Sequence, residues 1–593
     1  MVSRGFRLPC AGLLVQSSLS GVSAPSSAPD RAGHADTVPA VADERAAAGL
    51  PHEERRARNL ERAAFVAVVA LAAVIRLWGL GGQPMLFFDS GVYMGEGAFL
   101  ASAAQRAAQA LVSPGPGSAL ERVAFAVQDG TDAHPPDIAK PGHAIVLALT
   151  MLLLGKTAFA GALVSAVAGI GTVAATYAIG RHGWGPVVAL TSAVMLAISG
   201  QHLVYSREPL VESDGLLFAT LAALVYLRSR SWRGLLGAGV LWGVAFSCNN
   251  RLSFLPAVFL LAELARWPGV VGFVRRGLVV AGGFVLPLAL IEGAYLVARA
   301  IGRAAGARIE WLDYAQQLAA FSRMNPPDRL RFDQWPTYFV DLALMDGLPM
   351  LVLLLLGLGV LVWRLVRVDS RPARSRADLL LFGSLLVPLT LYSFYSTGEV
   401  RLRHFSLAMP WVMLAAALGL HWLAGRVRGH ARLALSAALA ALAVLALPRI
   451  VALDSAPSGT AAVLANLGDR RAASTNGPVF AFAVGEARTN ARLRQAFVNV
   501  PADLPPLAAS YPLLVVDMQA HVFPGELTDL YARATPLLVV PNGNDAWYLA
   551  DLLEHYGSNL GGWNDLLAKW QANRDAASQL RVYDLSVLAR TAP

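Results

Sequence analysis

The sequence predicts an α-helical polytopic membrane protein that carries a small external α/β domain at its C-terminal end. Three observations support this fold class. Of the 593 residues, 55% are hydrophobic and only 15% are charged. Many apolar runs are long enough to cross roughly 30 Å of hydrocarbon. Beyond residue 450, short strand-like runs alternate with helical segments, which indicates a separate α/β domain.

The transmembrane domain is predicted to span residues 61–450. It follows residues 1–60, which are rich in Ala, Ser, Pro and charge and which we expect to form a disordered cytoplasmic tail. A run at 143–155 is short for a span and favours an interfacial or re-entrant helix. About eleven other apolar runs are candidate spans: they cover approximately residues 63–80, 157–180, 185–200, 211–227, 233–248, 253–265, 277–299, 338–363, 378–396, 405–424 and 433–449.

The distribution of Arg predicts the orientation. With a cytoplasmic N-terminus, every short connection on that side is basic, the densest being RLVRVDSRPARSR at 364–376. An odd number of spans then places residues 451–593 outside. There we predict strands in VFAFAV, YPLLVVDM and TPLLVV and a helix in DAWYLADLLEHYG. The abundance of Ala, Arg, Gly and Leu is typical of a high-GC bacterium, so we expect a multi-pass protein of the bacterial inner membrane.

The composition argues against several classes of protein. The net charge is +9, but no basic stretch is interleaved with aromatic residues, so we expect no nucleic-acid partner. The only cysteines are Cys10 and Cys248, which excludes a disulfide framework and a Cys metal cluster. His134 and His143 lack the spacing of a metal site. We expect no cofactor, and nothing in the sequence indicates a divalent cation.

Five polar segments are predicted to lie on the outer face. They are residues 81–142, SGQHLVYSREPLVESD, the CNNRLS corner, residues 300–337 and STGEVRLRHF. Most contain Arg or Lys on the side where the positive-inside rule disfavours them. An anionic ligand at the outer leaflet would explain these cations.

Asp89 is the candidate general base. It follows an aromatic pair near the end of the first span, where desolvation would raise its pKa and suit it to accept a proton from a hydroxyl. The alternative is that Asp89 caps a helix starting at Ser90. Glu96 lies two helical turns further on. The alternative interpretation of Glu96 is an exposed carboxylate in a loop.

Several cations could bind a phosphate. Lys140 precedes the interfacial helix, with lysine snorkelling as the alternative. Arg207 stands beside Glu208, with a local ion pair as the alternative. Arg251 follows Asn250 at a tight corner, where capping is the alternative. The strongest set directly precedes a span. It offers three potential cations and bidentate donors: Arg401, Arg403 and His404.

The order of these motifs resembles the GT-C glycosyltransferases. The acidic residue after aromatics, HPP with Lys further along (His134, Lys140), YSRExxxxxD (Tyr205 to Asp214) and RxRHFxLxxPW are similar to the protein O-mannosyltransferase family and its bacterial relatives, including the aminoarabinose transferases. The resemblance covers roughly residues 63–425. It implies about 11 to 13 transmembrane helices and a polyprenyl-phosphate sugar donor used on the external face.

Two departures from the family pattern leave the acceptor open between protein, lipid and glycan. The mannosyltransferases typically have an Asp-Glu pair where this chain has Asp89-Ser90, and the tail lacks the β-trefoil repeats of the eukaryotic enzymes. The sequence therefore predicts an inverting transferase with Asp89 as base and membrane lipid around it. Lys140, Arg207, Arg401, Arg403 and His404 would bind the donor phosphate. Further candidates for substrate binding are Glu96, His134, Tyr205, Glu208, Asn250 and Arg251.

Other elements have expected supporting roles. The loop helices at about 91–112 and 309–322 would cover the cleft, and the α/β tail would guide the acceptor. Two other functions fit parts of the pattern. One is a transporter or flippase of lipid-linked sugars, which would need polar residues near the bilayer midplane. The other is a non-catalytic envelope assembly factor that keeps the fold.

Overall fold

The structure is a computed structural model. It describes residues 52–128, 140–307, 314–324, 335–367, 372–392, 401–427, 429–487, 492–495, 498, 500–522, 525–555 and 563–591. The chain divides into two compact units between Leu60 and Glu61. Of the first unit, the described residues form only the opening turns of helix α1. The second unit is mostly helical and ends in a region with a small sheet, so the predicted fold class is confirmed.

The helices before residue 455 are the following, in chain order: α1 His52–Leu77, α2 Phe88–Val112, α3 Ala119–Gln128, α4 Pro141–Leu154, α5 Ala158–Gly183, α6 Pro186–Ala197, α7 Gly200–Tyr205, α8 Val211–Arg228, α9 Trp232–Cys248, α10 Leu255–Glu263, α11 Gly269–Ala305, α12 Tyr314–Met324, α13 Trp335–Asp346, α14 Leu348–Val366, α15 Pro372–Tyr392, α16 Arg401–Ser406, α17 Met409–Ala424 and α18 Ala431–Asp454. The helix predicted at 91–112 lies within α2, and α12 covers the described part of the helix predicted at 309–322, whose first five residues lie outside the described residues.

Five helices of the described part are long and apolar enough to cross a membrane by length and composition, and the chain is a multi-pass membrane protein. They are the helical segments His52–Gly82, Ala158–Gly183, Gly269–Ala305, Leu348–Val366 and Ala431–Asp454. Other apolar runs form shorter helices, such as the 12 residues of α6 and the 16 of α17. The larger number of spans stays a prediction, as do the orientation and the type of membrane.

The run at 338–363, predicted as one helix, is two helices in the structure. α13 ends at Asp346, and α14 begins at Leu348 with Pro349 in its first turn. Gly347 between them has a φ of 91°, a left-handed conformation that favours glycine. Apolar content continues through the break, so hydropathy alone does not show it.

Two glycines allow helices α14 and α17 to cross at close range. A Cβ atom on Gly357 of α14 would lie 1.8 Å from the carbonyl oxygen of Ala415 in α17. A Cβ on Gly419 of α17 would lie 2.4 Å from the carbonyl oxygen of Leu353. The two backbones approach too closely for larger side chains, as in other membrane helix pairs that use small residues at the crossing.

The C-terminal part of the second unit, called the C-terminal domain below, has helices around a mixed five-stranded sheet. The strands are β1 Arg471–Ser474, β2 Arg492–Gln495, β3 Leu513–Val516, β4 Leu538–Pro541 and β5 Gln579–Asp584, in the order β2-β1-β3-β5-β4. β1 is parallel to β2 and β3, whereas β5 is antiparallel to β3 and β4. The helices are α19 Thr460–Leu467, α20 Gly477–Ala487, α21 Leu504–Ala508, α22 Gly525–Arg533, α23 Asp545–His555, α24 Trp563–Ala577 and α25 Leu585–Thr591.

The strands predicted in YPLLVVDM and TPLLVV are present as β3 and β4. In the segment predicted as a helix, DAWYLADLLEH forms α23, and the last two residues lie outside the described part of the chain. The strand predicted in VFAFAV is wrong, because these residues lie inside helix α20. A short apolar run fits a buried strand or a buried helix equally well. Pro478 in the first helical turn, where its missing N–H costs nothing, was the local signal for a helix.

The C-terminal domain packs directly on the start of α2. The side-chain amide of Asn476 donates to the carbonyl oxygen of Leu86 at 3.0 Å. The rings of Phe87 and Trp547 meet edge to face with centroids 6.0 Å apart. The indole N–H of Trp547 donates to the carbonyl oxygen of Leu453 at 3.3 Å. The domain therefore lies on the same side of the helical part as Asp89.

Candidate active site

Asp89 lies in the first turn of α2, next to the C-terminal domain. The helix begins at Phe88, and its N-cap residue, Phe87, makes no side-chain capping bond. The structure thus differs from the alternative in which Asp89 caps a helix starting at Ser90. Its side chain is 36% exposed, so the carboxylate is accessible at the edge of a buried region.

Arg403 is the central cation of the site. Its Nη1 donates to Asp89 Oδ2, and its Nε donates to Glu554 Oε2 at 2.9 Å. The guanidinium group is buried and lies 5.9 Å from the centre of the Phe87 ring. Arg403 belongs to the short helix Arg401–Ser406. The side chain of Arg401 lies outside the described residues.

Lys140 reaches Asp89 through Tyr93. Its Nζ donates to the Tyr93 hydroxyl, which donates to Asp89 Oδ2 at 3.4 Å. Lys140 immediately precedes α4, and its side chain is buried and not snorkelling. The ammonium lies 4.7 Å from the centre of the Tyr93 ring. Tyr93 follows Asp89 by four residues, so both occupy one face of α2.

A second ion pair lies near these groups. Arg251 Nη1 donates to Glu212 Oε1 at 2.9 Å, and Glu212 is buried. The side chain of Asn249 accepts from the Arg251 backbone N–H at 3.1 Å, which caps the 3-10 turn at the CNNRLS corner. The capping interpretation thus applies to the Arg251 backbone, while its guanidinium is directed to Glu212.

The charges of this cluster act on one another. Burial alone would raise the pKa of Asp89, but Arg403 and Lys140 outweigh it and lower that pKa to about 2. The expectation of a raised pKa is therefore wrong, because the cations lie closer to Asp89 than the sequence indicated. Burial, with the nearby Arg251, lowers the pKa of Lys140 to about 8. At neutral pH Asp89 is ionised and Lys140 is mostly charged.

Glu208 holds the loop that precedes α2. Its carboxyl oxygens accept from the backbone N–H of Leu86 at 3.1 Å and from the Ser90 hydroxyl at 2.7 Å. Burial raises the pKa of Glu208 to about 8, although both hydrogen bonds act in the opposite direction. The neighbouring Tyr205 donates its hydroxyl to Glu554 Oε1 at 3.0 Å. The YSRE motif therefore contacts the site through Tyr205 and Glu208.

The Arg207 side chain is directed to the end of α1. Its Nη1 donates to the carbonyl oxygens of Ile75, Arg76 and Trp78 at 2.9 to 3.2 Å, and Nε donates to Gln83 at 2.7 Å. The same Nη1 forms an ion pair with Asp454 at 3.0 Å, so its partner is not the adjacent Glu208. These bonds satisfy the carbonyl groups at the end of α1, as basic residues at helix C-termini commonly do.

The remaining candidates are distributed as follows. His404 stacks on Tyr392 with ring centroids 4.3 Å apart. Asn250 is buried in the corner next to Arg251. Glu96 is buried, which differs from its interpretation as an exposed loop carboxylate. His134 lies outside the described residues. Three of the predicted residues are linked directly or through Tyr93: Asp89, Lys140 and Arg403. Tyr205 joins them through Glu554.

Three residues that contribute to the site were not predicted from the sequence: Tyr93, Glu212 and Glu554. The position of Tyr93, one turn after Asp89 on a predicted helix, was a usable signal. Glu212 belongs to a polar segment that was recognised as external. Glu554 offered no signal, because it lies in another domain at the end of an ordinary amphipathic helix. Among the described residues, no group of three or more His, Cys, Asp or Glu is arranged to hold a metal.

Residues 133–323 match the family model described as dolichyl-phosphate-mannose-protein mannosyltransferase. The solved apo structure of ArnT from Cupriavidus metallidurans aligns with a TM-score of 0.51 and 14% identity, covering 81% of this chain and 96% of that one. The predicted resemblance to the GT-C, mannosyltransferase-like family is confirmed. At this identity, the structural likeness shows the GT-C fold.

Two further GT-C structures align less closely. ArnT from Cupriavidus metallidurans bound to undecaprenyl phosphate has a TM-score of 0.44 and 13% identity, with coverage of 86% of this chain and 87% of that one. The Archaeoglobus fulgidus oligosaccharyltransferase tethered with an acceptor peptide has a TM-score of 0.48 and 11% identity, with coverage of 84% and 72%. No curated protein matches the sequence.

Proposed function

We propose that this GT-C protein transfers a sugar from a polyprenyl-phosphate donor to an acceptor hydroxyl on the external face of the membrane, with inversion. The observation that carries the proposal is the contact between Asp89 and Arg403, with Lys140 next to them. An accessible carboxylate beside two buried cations provides a base for the acceptor and a counter-charge for a phosphate leaving group.

The reaction follows from these charges. The acceptor oxygen attacks the anomeric carbon and gives its proton to Asp89. The bond between that carbon and the phosphate oxygen breaks, and the electron pair leaves with the polyprenyl phosphate. Arg403 and Lys140 stabilise the charge that develops on the phosphate. A single displacement with one base inverts the anomeric configuration.

Donor binding would also prepare the base. Burial raises the pKa of Asp89, but Arg403 and Lys140 lower it to about 2, which makes Asp89 a weak base. A donor phosphate that takes the Nη edge of Arg403 would neutralise part of this charge. The pKa of Asp89 would then rise towards a value useful for proton transfer. Base activation is thereby coupled to the presence of donor.

Several facts support the lipid-linked donor. The matching family model is described by a dolichyl-phosphate-mannose donor, which is a sugar on a polyprenyl-type phosphate. ArnT, which shares the fold, is a protein that has been solved with undecaprenyl phosphate bound. We propose that no cofactor takes part, since the side-chain cations already meet the phosphate charge, and that a protein, lipid or glycan hydroxyl is the acceptor.

The test combines product identification with a chemical variant. Glycans, glycolipids and glycopeptides from a deletion strain are compared by mass spectrometry with those from strains restored by wild type or by Asp89→Asn. We expect one class of sugar-modified product to return only with wild type. Its return with Asp89→Asn would contradict the proposal and favour a flippase or an assembly factor, neither of which needs a base.

A further inference from the structure

Glu554 lies in the C-terminal domain, yet its carboxylate is part of the site around Arg403. It is near the end of α23 and is 2% exposed. Oε2 accepts from Arg403 Nε at 2.9 Å, and Oε1 accepts from the Tyr205 hydroxyl at 3.0 Å. Both carboxylate oxygens are thus bound to residues of the helical part of the chain.

Two carboxylates share the Arg403 guanidinium, and their surroundings differ. Asp89 is 36% exposed, whereas Glu554 is buried and has a second partner in Tyr205. Separating Arg403 from Glu554 would leave an unpaired buried charge, which is strongly unfavourable. Glu554 is therefore the permanent partner of Arg403, and Asp89 is the partner that a ligand can replace.

The two carboxylates also use different nitrogen atoms. Glu554 accepts from Nε, and Asp89 accepts from Nη1. The guanidinium group is planar, so a bond at Nε sets the direction in which the Nη atoms point. With Nε fixed, the Nη edge is directed to the accessible side of the site, where Asp89 lies. A phosphate arriving there would find two N–H donors already oriented.

Helix α23 is itself held against the helical part. Trp547, two turns before Glu554, donates to the Leu453 carbonyl at 3.3 Å and packs its ring on Phe87. The position of Glu554 therefore depends on docking of the C-terminal domain.

We propose that Glu554 is a positioning residue for the transfer reaction, in which it holds Arg403 by Nε so that the Nη edge faces the donor phosphate. This inference rests on the proposed function. It gives the C-terminal domain a part in donor binding, whereas the sequence suggested that this domain guides the acceptor.

The test measures binding of polyprenyl phosphate and transfer from a polyprenyl-phosphate sugar, using the purified full chain in lipid nanodiscs. Glu554→Ala should weaken binding and lower kcat/KM by roughly 10- to 100-fold, as expected for a charge-assisted hydrogen bond. Glu554→Gln keeps an acceptor oxygen but loses the charge and should be intermediate. Tyr205→Phe frees one oxygen of Glu554 and should show a smaller loss in the same direction.

Glu486→Gln is the matched control. Glu486 is an exposed carboxylate of the same domain, and it contacts the helical part through the Ala158 N–H at 3.1 Å without touching Arg403. It should leave binding and turnover unchanged. A double variant separates positioning from general stability, because Glu554→Ala should add roughly twofold or less when Arg403 is already Ala.

The outcomes distinguish the inference from the function on which it rests. Equal losses for Glu554→Ala and Glu486→Gln, or a full additional loss in the Arg403→Ala background, would overturn the role of Glu554. If Glu554→Ala does not fold, Glu554→Gln and Tyr205→Phe decide the question. A wild-type protein that binds polyprenyl phosphate through Arg403 and Glu554 but transfers no sugar would overturn the proposed function alone.

Discussion

Asp89 and Arg403 form the pair on which the proposed chemistry depends. Arg403 keeps the Asp89 carboxylate ionised and weakly basic, and Asp89 in turn occupies the Nη1 atom of Arg403, which we propose receives the donor phosphate. Their contact also brings together residues 314 positions apart in the chain.

Asp89→Asn should abolish transfer while leaving donor binding intact or slightly stronger. The substitution keeps the shape, removes the base and removes a competing anion from Arg403. We expect turnover of the purified variant to fall by ~10²-fold or more, as is typical of removing a general base. Glu96→Gln serves as the comparison and should show a milder loss. Turnover above about a tenth of wild type in Asp89→Asn would place the base elsewhere.

The pH dependence of transfer should reflect the titration of Lys140. Its pKa is lowered to about 8, so its charge is present below that pH and is lost above it. The kcat/KM for donor should therefore fall above about pH 8, by roughly tenfold per pH unit. Asp89, with a pKa of about 2, should add no acid limb near neutrality.

Lys140→Arg provides the control for this profile, because Arg stays charged throughout the range. The alkaline limb should disappear in a pH titration of kcat/KM. A limb that persists would assign the titration to Glu208, whose pKa is also about 8, and would contradict the role of Lys140.

The sequence predicted part of this site. Asp89, Lys140 and Arg403 could be named because each interrupts an apolar pattern with charge at a membrane boundary. Arg207 shows the same pattern, yet the structure places it on the carbonyl groups that end α1. Sequence position cannot separate the two situations, because only the fold determines which buried acceptors lie within reach. Glu554 could not be predicted, since it reaches Arg403 through domain packing.

At the scale of elements, the contact between α2 and α20 fixes the position of Asp89. A Cβ on Gly91, two residues after Asp89, would lie 2.2 Å from the backbone nitrogen of Val479 and 2.4 Å from the carbonyl carbon of Pro478. Both are backbone atoms of α20 that cannot rotate away. The absence of a side chain at Gly91 therefore permits the domain to dock.

Gly91→Ala should push α20 away from α2. We expect a loss of about 1 to 3 kcal/mol in stability, as for other overpacked contacts, together with reduced transfer. Thermal unfolding of the purified protein measures the first effect. Gly485→Ala, in the same helix α20 but with no atom within 4 Å of the added Cβ, should be neutral or slightly stabilising. Equal melting temperatures for Gly91→Ala and wild type would contradict the close contact.

The elements themselves were predictable to different degrees. Strands β3 and β4 and helix α23 follow from their patterns of apolar residues. Helix α20 did not, because four to six apolar residues fit either conformation and tertiary packing decides between them. The break at Gly347 was hidden for a related reason: a membrane-compatible composition continues through it, while the left-handed φ of 91° depends on the glycine alone.

At the scale of the whole molecule, the site requires the C-terminal domain and Asp89 to lie on one side of the membrane. We predict that a reporter fused after residue 370 reads cytoplasmic and that one fused at the C-terminus reads external, since the segment at 364–376 is the most Arg-dense connection. Paired phosphatase and fluorescent-protein fusions measure this. A cytoplasmic C-terminus would contradict an external site.

The most direct test of the proposed function measures how strongly Arg403 favours a lipid that carries a phosphate over one that does not. Binding of polyprenyl phosphate and of phosphate-free polyprenol is compared for wild type, Arg403→Lys and Arg403→Ala. Lys keeps the charge without the planar fork, and Ala removes both. Polyprenyl phosphate should bind more weakly in that order, with Ala losing ~1.5 to 3 kcal/mol or more, while polyprenol binding hardly changes. Equal losses for both lipids would show that Arg403 supports the fold and does not bind the donor phosphate.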